Sequence, residues 1–405
     1  MREIVVMVTT SYPRFPGDGV GSFMEPIAKG VAARGHDVHV VAPWHPAMTR
    51  RALEDGVHFH FFRYAPIPAL HVFGYSGGLR ADTELRASAW AMAPLALAAG
   101  WRCAARVAAA RHATVMHGHW VVPGGVMAAL AARGLPLVVS LHGSDVFVAE
   151  RSVLAGRAAR AVFRRTGWVT ACSNDLARRA AGLGADPARI ETVPYGVDAV
   201  RFAPDAAVRA QVRRELGVGD APLVVAAGRL VRKKGFEYLI DAVPALTAAH
   251  RGLHVVIAGG GDLREELSAR AAAVGGGRVV LLGTRSQDDI ARLAAAADVI
   301  AVPSIHDESG NVDGLPNFAL EALASATPVV AARVGGLPEL IRDGSTGLLV
   351  PERDAAALAG AISGLLADRA RAAMLGAAAR ARVVRDFGWN RVAERLEAAY
   401  ARARG

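Results

Sequence analysis

The sequence predicts an α/β protein of two Rossmann-like, doubly wound domains facing each other across a cleft, and three observations carry that expectation. The chain has 405 residues, roughly two to three times the usual size of one domain. Short Val- and Ile-rich runs alternate with helix-length segments along it. A polar, turn-rich stretch near the middle divides those runs into two series.

The first series is Ile4–Val8, Val38–Ala42, Val115–His117, Leu137–Leu141 and Val169–Cys172; the second is Leu223–Ala227, His254–Ala258, Val279–Leu282, Val299–Val302 and Val329–Ala332. Runs that are apolar throughout, rather than alternating, suit strands covered on both faces of a parallel sheet. Helices between them make doubly wound units. The dividing stretch, VPYGVDAVRFAPDAAVRAQVRRELGVGDAP over 193–222, reads as a linker with a proline-bounded bend and a polar helix. The expected domains are therefore 1–200 and 201–385, followed by a C-terminal helix over 386–405 with Val392, Leu396 and Tyr400 at helical spacing. Ligands of such sheets bind beyond the carboxyl ends of the strands, and two such domains offer a cleft.

Composition narrows the class. Hydrophobic residues make up 52% and charged residues 21%, which excludes a disordered chain. The net charge of +10 is almost all arginine, since lysine occurs only at Lys29, Lys233 and Lys234. With no dense basic block, nucleic acid is not an expected partner, whereas an anionic or membrane-borne substrate is mildly favoured. Cys103 and Cys172 make neither a disulfide framework nor a metal set. The start MREIVVMVTT turns polar too soon for a secretory signal, so a cytoplasmic protein is expected. The uncharged stretch ASAWAMAPLALAAGW (87–101) falls short of the ~20 residues that span a bilayer. It reads as two packed helices broken near Pro94, with a peripheral seat on the inner membrane face, through Trp90, Trp101 and flanking arginines, as the alternative.

The loops after the strands hold the chemistry. After the first strand, Gly17, Gly19 and Gly21 precede a helix-like run, so backbone can approach an anionic ligand closely at a helix start. The spacing is not a dinucleotide fingerprint. Two histidine loops follow, HGHWVVPGG (117–125) and SLHGSDV (140–146). His142, at a strand's carboxyl edge beside Gly143, is the expected substrate contact; His119 stays open between a structural and a site role. In AAGRLVRKKGFEYLIDA, Arg229 and Lys234 bracket a turn into a helix and suit a diphosphate, a forked guanidinium with a compact ammonium. Lys233 reads as the exposed neighbour of Lys234. Farther on, DGLPNFALEALAS places Pro316 in the first turn of a helix, so the amides of Asn317 and Phe318 are free anion donors. Glu321, one turn along, leans back toward the same pocket, and Asp313 lies on the loop above. Carboxylates there read hydroxyls of a ribose and a sugar while amides read phosphate; helix capping by Asp313 is the alternative. A calcium loop fails on spacing.

With these pieces in place, the chain resembles the retaining glycosyltransferases of family 4, over essentially its whole length and in the family's order: PGDGVGSF, HGSD, GRLVRKKG and DGLPNFALEALASATPVVA. The resemblance implies the GT-B fold and transfer of a sugar from a UDP- or GDP-sugar to a hydroxyl acceptor, in cell-surface glycan or glycolipid synthesis. It implies Glu321 on the nucleotide ribose, Arg229 and Lys234 on the diphosphate, Asp313 with His142 on the donor sugar, and Gly21 with Gly19 in a loop over the phosphates. Arg285 is a candidate contact to the base. The family's usual Glu, seven residues, Glu is here Asp313 and Glu321 at the same spacing, and Pro316 stands where many relatives have glycine. The family is held to retain configuration by front-face substitution. No D-x-D triplet occurs, so no metal or other cofactor is expected, and cations and helix amides would meet the leaving diphosphate instead. A nucleotide-sugar epimerase or hydrolase, a non-catalytic nucleotide-sugar-binding protein and, more weakly, a nicotinamide oxidoreductase are the competing functions. The acceptor, lipid-linked or polysaccharide, would be shaped in part by YAPIPALHVFGYSGGLRAD (64–82).

Overall fold

The computed structural model describes residues 2–75, 79–80, 84–85, 87–275 and 277–405. They form two compact units: Met1–Tyr195 with Trp389–Gly405, and Gly196–Gly388. The sequence expectation had put these boundaries at 200 and 385.

Unit 1 carries β1 (Ile4–Val8), β2 (Asp37–Pro43), β3 (Leu53–Glu54), β4 (Val57–Phe62), β5 (Leu79–Arg80), β6 (Glu84–Leu85), β7 (Val115–His119), β8 (Leu137–Leu141), β9 (Trp168–Ala171) and β10 (Ile190–Thr192). Its main sheet runs β10-β9-β8-β7-β1-β2-β4-β3 and is parallel except for the β3–β4 pair. From β1 the chain proceeds outward to β2 and β4, then returns to β7 and proceeds the other way. The strand order thus reverses between β1 and β7, where their carboxyl ends open a crevice. Its helices are α1 (Met24–Ala33), α2 (Ala87–Arg111), α3 (Val126–Ala132), α4 (Ser144–Arg151), α5 (Val153–Phe163) and α6 (Asn174–Gly182).

Unit 2 adds α7 (Ala206–Glu215), β11 (Leu223–Ala227), α8 (Phe236–Ala249), β12 (His254–Ala258), α9 (Arg264–Ala273), β13 (Val279–Gly283), α10 (Gln287–Ala296), β14 (Val299–Val302), α11 (Asn317–Ala324), β15 (Val329–Ala332), α12 (Leu337–Leu340), β16 (Leu348–Val350), α13 (Ala355–Ala367) and α14 (Arg369–Asp386). Its sheet, β13-β12-β11-β14-β15-β16, is parallel throughout. Here the order reverses between β11 and β14. Val224, Val255, Ile257 and Val330 meet Leu239, Val243 and Ile362 in its core. Burial of such Val, Leu and Ile side chains stabilises by about 1.5–3 kcal/mol each.

The last helix, α15 (Trp389–Arg402), returns to unit 1. It buries Val392, Ala393, Leu396, Ala399 and Tyr400 in one cluster with Val5, Met7, Ile27 and Val31. α1 and α15 pack together, and α2, α3 and α5 form another row, each packed on the next. That second row contains no aspartate or glutamate. Its arginines Arg102, Arg106, Arg111, Arg157 and Arg160, with Arg133 and Arg164 at helix ends, are all exposed.

Three expectations are corrected. Residues 87–111 form one helix that contains Pro94 instead of two helices broken there. Pro94 removes one ladder bond, but it lies on the solvent side beside exposed Leu95, where water can take the freed carbonyl. Trp101 turns its indole nitrogen inward, where it is buried, and the side chain of Trp90 lies outside the described residues. The polar helix of the supposed linker, α7, is docked in unit 2: Arg213 is 7% exposed and donates to the carbonyls of Gly219 (2.8 Å) and Ala296 (3.0 Å) and to Asp298 (3.1 Å). Its charges face carbonyls and a carboxylate, so a polar composition conceals a packed face. No described helix is long and apolar enough to cross a membrane.

Candidate active site

In unit 2 Arg229, Lys234, Asp313 and Glu321 gather at the reversal point, on the loop leaving β11 and on the loop and helix that follow β14. After β11 the chain turns through Gly228 to Gly235. Gly235 has φ 62°, and a Cβ there would lie 2.0 Å from the Pro303 carbonyl oxygen, so only glycine lets this turn press against the loop after β14. Lys234 lays its stem over Gly228, which aims its ammonium across to β14. There it meets Asp313, Nζ to Oδ2, at 2.6 Å, while Lys233 lies 3.5 Å from Oδ1. Ser304, fully buried, donates to Asp313 at 3.4 Å.

Lys233 is therefore not an exposed neighbour. It is 7% exposed, its carbonyl accepts from Ile305 at 2.9 Å, and it belongs to the cluster. Burial alone would raise the Asp313 carboxyl, but Lys234, then Lys233 and Arg229, bring it down to about 2. Asp313 is thus a carboxylate at any physiological pH.

Pro316 is the residue before the first turn of α11 rather than within it. The first-turn amides of Asn317 and Phe318 still lack partners in the helix ladder. Glu321 is half-buried, and burial pushes its carboxyl up to about 7 against the opposing pull of Lys234, Arg201 and a bond from Gln287. One ammonium, Lys234, thus acts on both carboxylates. Asn311, two residues before Asp313, is 1% exposed, and both its amide atoms lack a partner among the described residues.

Arg229 is exposed and contributes to the field at Asp313. Among the described residues no contact brings Arg285 to this cluster: it follows β13, two strands from β11, and bonds the Thr284 carbonyl at 3.2 Å.

Unit 1 builds its own cluster at the β1/β7 reversal point and the adjoining end of β8. Gly21 has φ 67°, and a Cβ on it would stand 2.9 Å from the Ser11 hydroxyl, so glycine is required there. Gly19 is exposed with open space around it. The loop is held by Asp18, buried, bonded to Arg14 at 2.6 Å. Beyond β8, the Asp145 carboxylate accepts from the amides of Val121 (2.8 Å), Gly143 (3.0 Å) and His142 (3.3 Å), tying the loops after β7 and β8 together. His142 bonds through Nδ1 to the Tyr195 hydroxyl at 2.8 Å and through Nε2 to His119 Nδ1 at 3.1 Å. Phe23 packs on both His142 and Tyr195, ring centroids 4.8 Å apart in each case.

Sequence reasoning missed Asp145, Tyr195, Ser304, Asn311, Gln287 and Arg201. Asp145 closes the quoted HGSD motif and could have been found there, as an acid at a helix start three residues after His142. Tyr195 lies 53 positions from its partner and leaves no local signal. The acceptor-side stretch 64–82 lies partly outside the described residues.

Residues 17–201 match the model of Glycosyltransferase Family 4, and residues 221–368 that of Glycosyl transferases group 1. A GDP-mannose-dependent alpha-(1-6)-phosphatidylinositol monomannoside mannosyltransferase of Mycobacterium tuberculosis is 33% identical over 97% of this chain and 96% of its own length. The chain belongs to the family 4 glycosyltransferases. A D-inositol 3-phosphate glycosyltransferase of Actinosynnema mirum is 36% identical to this glycosyltransferase, over 72% of this chain and 73% of that one. Among solved structures, the sucrose-phosphate synthase of Thermosynechococcus elongatus superposes with TM-score 0.81 at 21% identity, covering 99% of this chain and 98% of that one. The Anabaena protein HepE, in complex with UDP-glucose, gives 0.78 at 21% identity, covering 99% and 100%. The shared architecture is the GT-B fold.

Proposed function

We propose that this glycosyltransferase moves a hexose from a nucleoside-diphosphate sugar to a hydroxyl of a glycolipid acceptor, with retention of configuration and without a metal. The observation that carries the reading is the convergence of Lys233, Lys234 and Asp313, on the two loops that flank the reversal point of unit 2, with Glu321 on the helix that follows. Lys234 and Arg229, with the first amides of α11, take the diphosphate; Glu321 accepts from the ribose hydroxyls; Asp313 accepts from a hydroxyl of the sugar. As the bond from the anomeric carbon to the phosphate oxygen breaks, the acceptor oxygen bonds that carbon on the same face, and its proton passes to the departing phosphate oxygen. The cations stabilise the charge that develops there, the part a metal plays elsewhere.

GDP-mannose is the first donor to try, because the relative matched over nearly its full length is named for it. UDP-glucose is the second, on fold likeness only. Relatives named for phosphatidylinositol monomannoside and for inositol 3-phosphate favour an anionic, inositol-bearing acceptor, which agrees with the basic balance of the chain. An acceptor of the first kind is membrane-borne, so we place the enzyme peripherally on the cytoplasmic face, with the acid-free row of α2, α3 and α5 toward the lipid.

Calorimetry against a panel of GDP- and UDP-sugars tests the donor site. One donor should bind, and Lys234→Ala should weaken it by about 1–3 kcal/mol, as for losing a bond to a charged group. Uniform failure to bind, or indifference to Lys234→Ala, refutes the reading. Turnover to an isomerised or hydrolysed sugar without acceptor would favour the epimerase or hydrolase instead.

A further inference from the structure

His119, His142 and Tyr195 make a chain of two hydrogen bonds, and each bond holds one proton whose owner the heavy-atom positions leave open. The rings are nearly coplanar in orientation, 12° between His119 and His142 and 12° between His142 and Tyr195. Only two neutral arrangements satisfy both bonds. In one, His119 Nδ1–H donates to His142 Nε2, and His142 Nδ1–H donates to the Tyr195 oxygen. In the other, Tyr195 donates to His142 Nδ1, and His142 Nε2–H donates to His119 Nδ1.

The two differ at both ends of the chain: at the Tyr195 O–H, which only the second uses within it, and at His119 Nε2. The first leaves a lone pair there; the second leaves an N–H. His119 is fully buried, and among the described residues Nε2 has no partner. Orphaned buried N–H groups are rarer in folded proteins than under-used acceptors, and an unmade buried donor carries the full desolvation penalty. The hydroxyl hydrogen released in the first arrangement can rotate to an acceptor outside the chain, whereas the ring N–H of the second is fixed in direction, so the first is the lower in energy.

A protonated ring is disfavoured as well. The groups around His142 are Phe23, Trp120, Tyr195, His117 and His119, and the Asp145 carboxylate three residues on is already committed to three backbone amides. Burial accordingly holds His142 down to about 3, with His117 adding to the shift.

We propose that these residues form a one-directional relay, His119 to His142 to Tyr195, which fixes His142 as the neutral Nδ1–H tautomer and makes His119 and Tyr195 its positioning residues. Both ring nitrogens of His142 are then engaged. The ring neither takes a proton from an acceptor hydroxyl nor gives one to a leaving group, and a sugar hydroxyl that meets it must share the Tyr195 bond. The functional half of this rests on the reading of His142 as a sugar contact; the tautomer does not.

Nitrogen-15 NMR of the full chain with labelled histidine tests the relay without any ligand. His142 should show a protonated Nδ1 and an unprotonated Nε2 at pH 7, unchanged from pH 5 to 8. The reverse pattern, or titration within that range, overturns the proposal. His119→Asn, whose amide still donates from the Nδ1 position, should keep the signature, while His119→Leu should lose it; an unchanged His142 spectrum in the leucine variant refutes the relay. Tyr195→Phe should lower kcat for transfer about tenfold while affinity for the free nucleoside diphosphate stays the same; equal loss of both would make Tyr195 merely structural. If no nucleotide sugar binds, the donor reading fails and the tautomer result stands; a reversed tautomer sinks the relay and leaves the donor reading intact.

Discussion

Asp313 and Glu321 stand eight residues apart in the sequence and in opposite electrostatic states. Asp313 has two ammoniums against it and stays ionised; Glu321 has one at longer range, and burial dominates. The carboxyl of Glu321, raised to about 7 from 4.5, keeps its proton to higher pH in the folded chain than in the unfolded one. The folded state then binds more protons between those values, so this group makes the protein less stable as pH rises from about 4.5 through about 7. Glu321→Gln removes that decline. Thermal melts should show the variant more stable than the parent at pH 8, by about 1–3 kcal/mol, and equal to it near pH 4. The same variant should bind nucleoside diphosphate more weakly, which separates a ribose contact from a merely strained carboxyl. Lys234, Asp313 and Glu321 were legible in the sequence because lysine is rare in this chain and the acids flank a helix start. Lys233 was not, since burial of a long stem beside a carboxylate is decided by where β14 lies, 65 or more residues later.

At the scale of elements, apolar strands were read to within a residue or two, because a strand covered on both faces writes its burial into every position. β4 was missed for the converse reason: VHFHFF alternates, near the edge of the sheet, and the pattern resembles no central strand. β10 and β16, three residues each, are too short to carry a period. The turn from β11 to α8 was read for its cations but not for its packing. Because a Cβ at Gly235 would strike the Pro303 carbonyl and alanine also disfavours φ 62°, Gly235→Ala should destabilise unit 2 by about 2 kcal/mol or more. It should also displace Lys233 and Lys234 from Asp313. Denaturant midpoints should fall and donor affinity should fall with them; a variant of parental stability that binds normally would contradict the rigid turn.

Over the whole molecule, the net charge of +10 is unevenly spread. The arginines on and beside α2, α3 and α5 have no ion-pair partner among the described residues, whereas Arg34, Arg50, Arg179 and Arg395 elsewhere in unit 1 each face a carboxylate. Exposed Val153 and Leu154 open the same α5 that carries Arg157 and Arg160. Such a face should partition to anionic vesicles and not to neutral ones, worth about 1 kcal/mol per arginine near the surface. Reversing Arg157, Arg160 and Arg164 to glutamate should abolish sedimentation with phosphatidylinositol-containing vesicles at low salt, and binding of the parent should weaken as salt shortens the Debye length. Undiminished sedimentation of the triple variant would remove the membrane assignment.

The return of α15 to unit 1 has a bearing on how this polypeptide comes off the ribosome. The first half emerges early but lacks the helix whose Tyr400 hydroxyl bonds His117 at 2.9 Å, so its interior stays open while some two hundred further residues are made. Translation halted before Trp389 would release a finished second half attached to an unfinished first half with apolar surface bare, a species for proteases and chaperones rather than for catalysis.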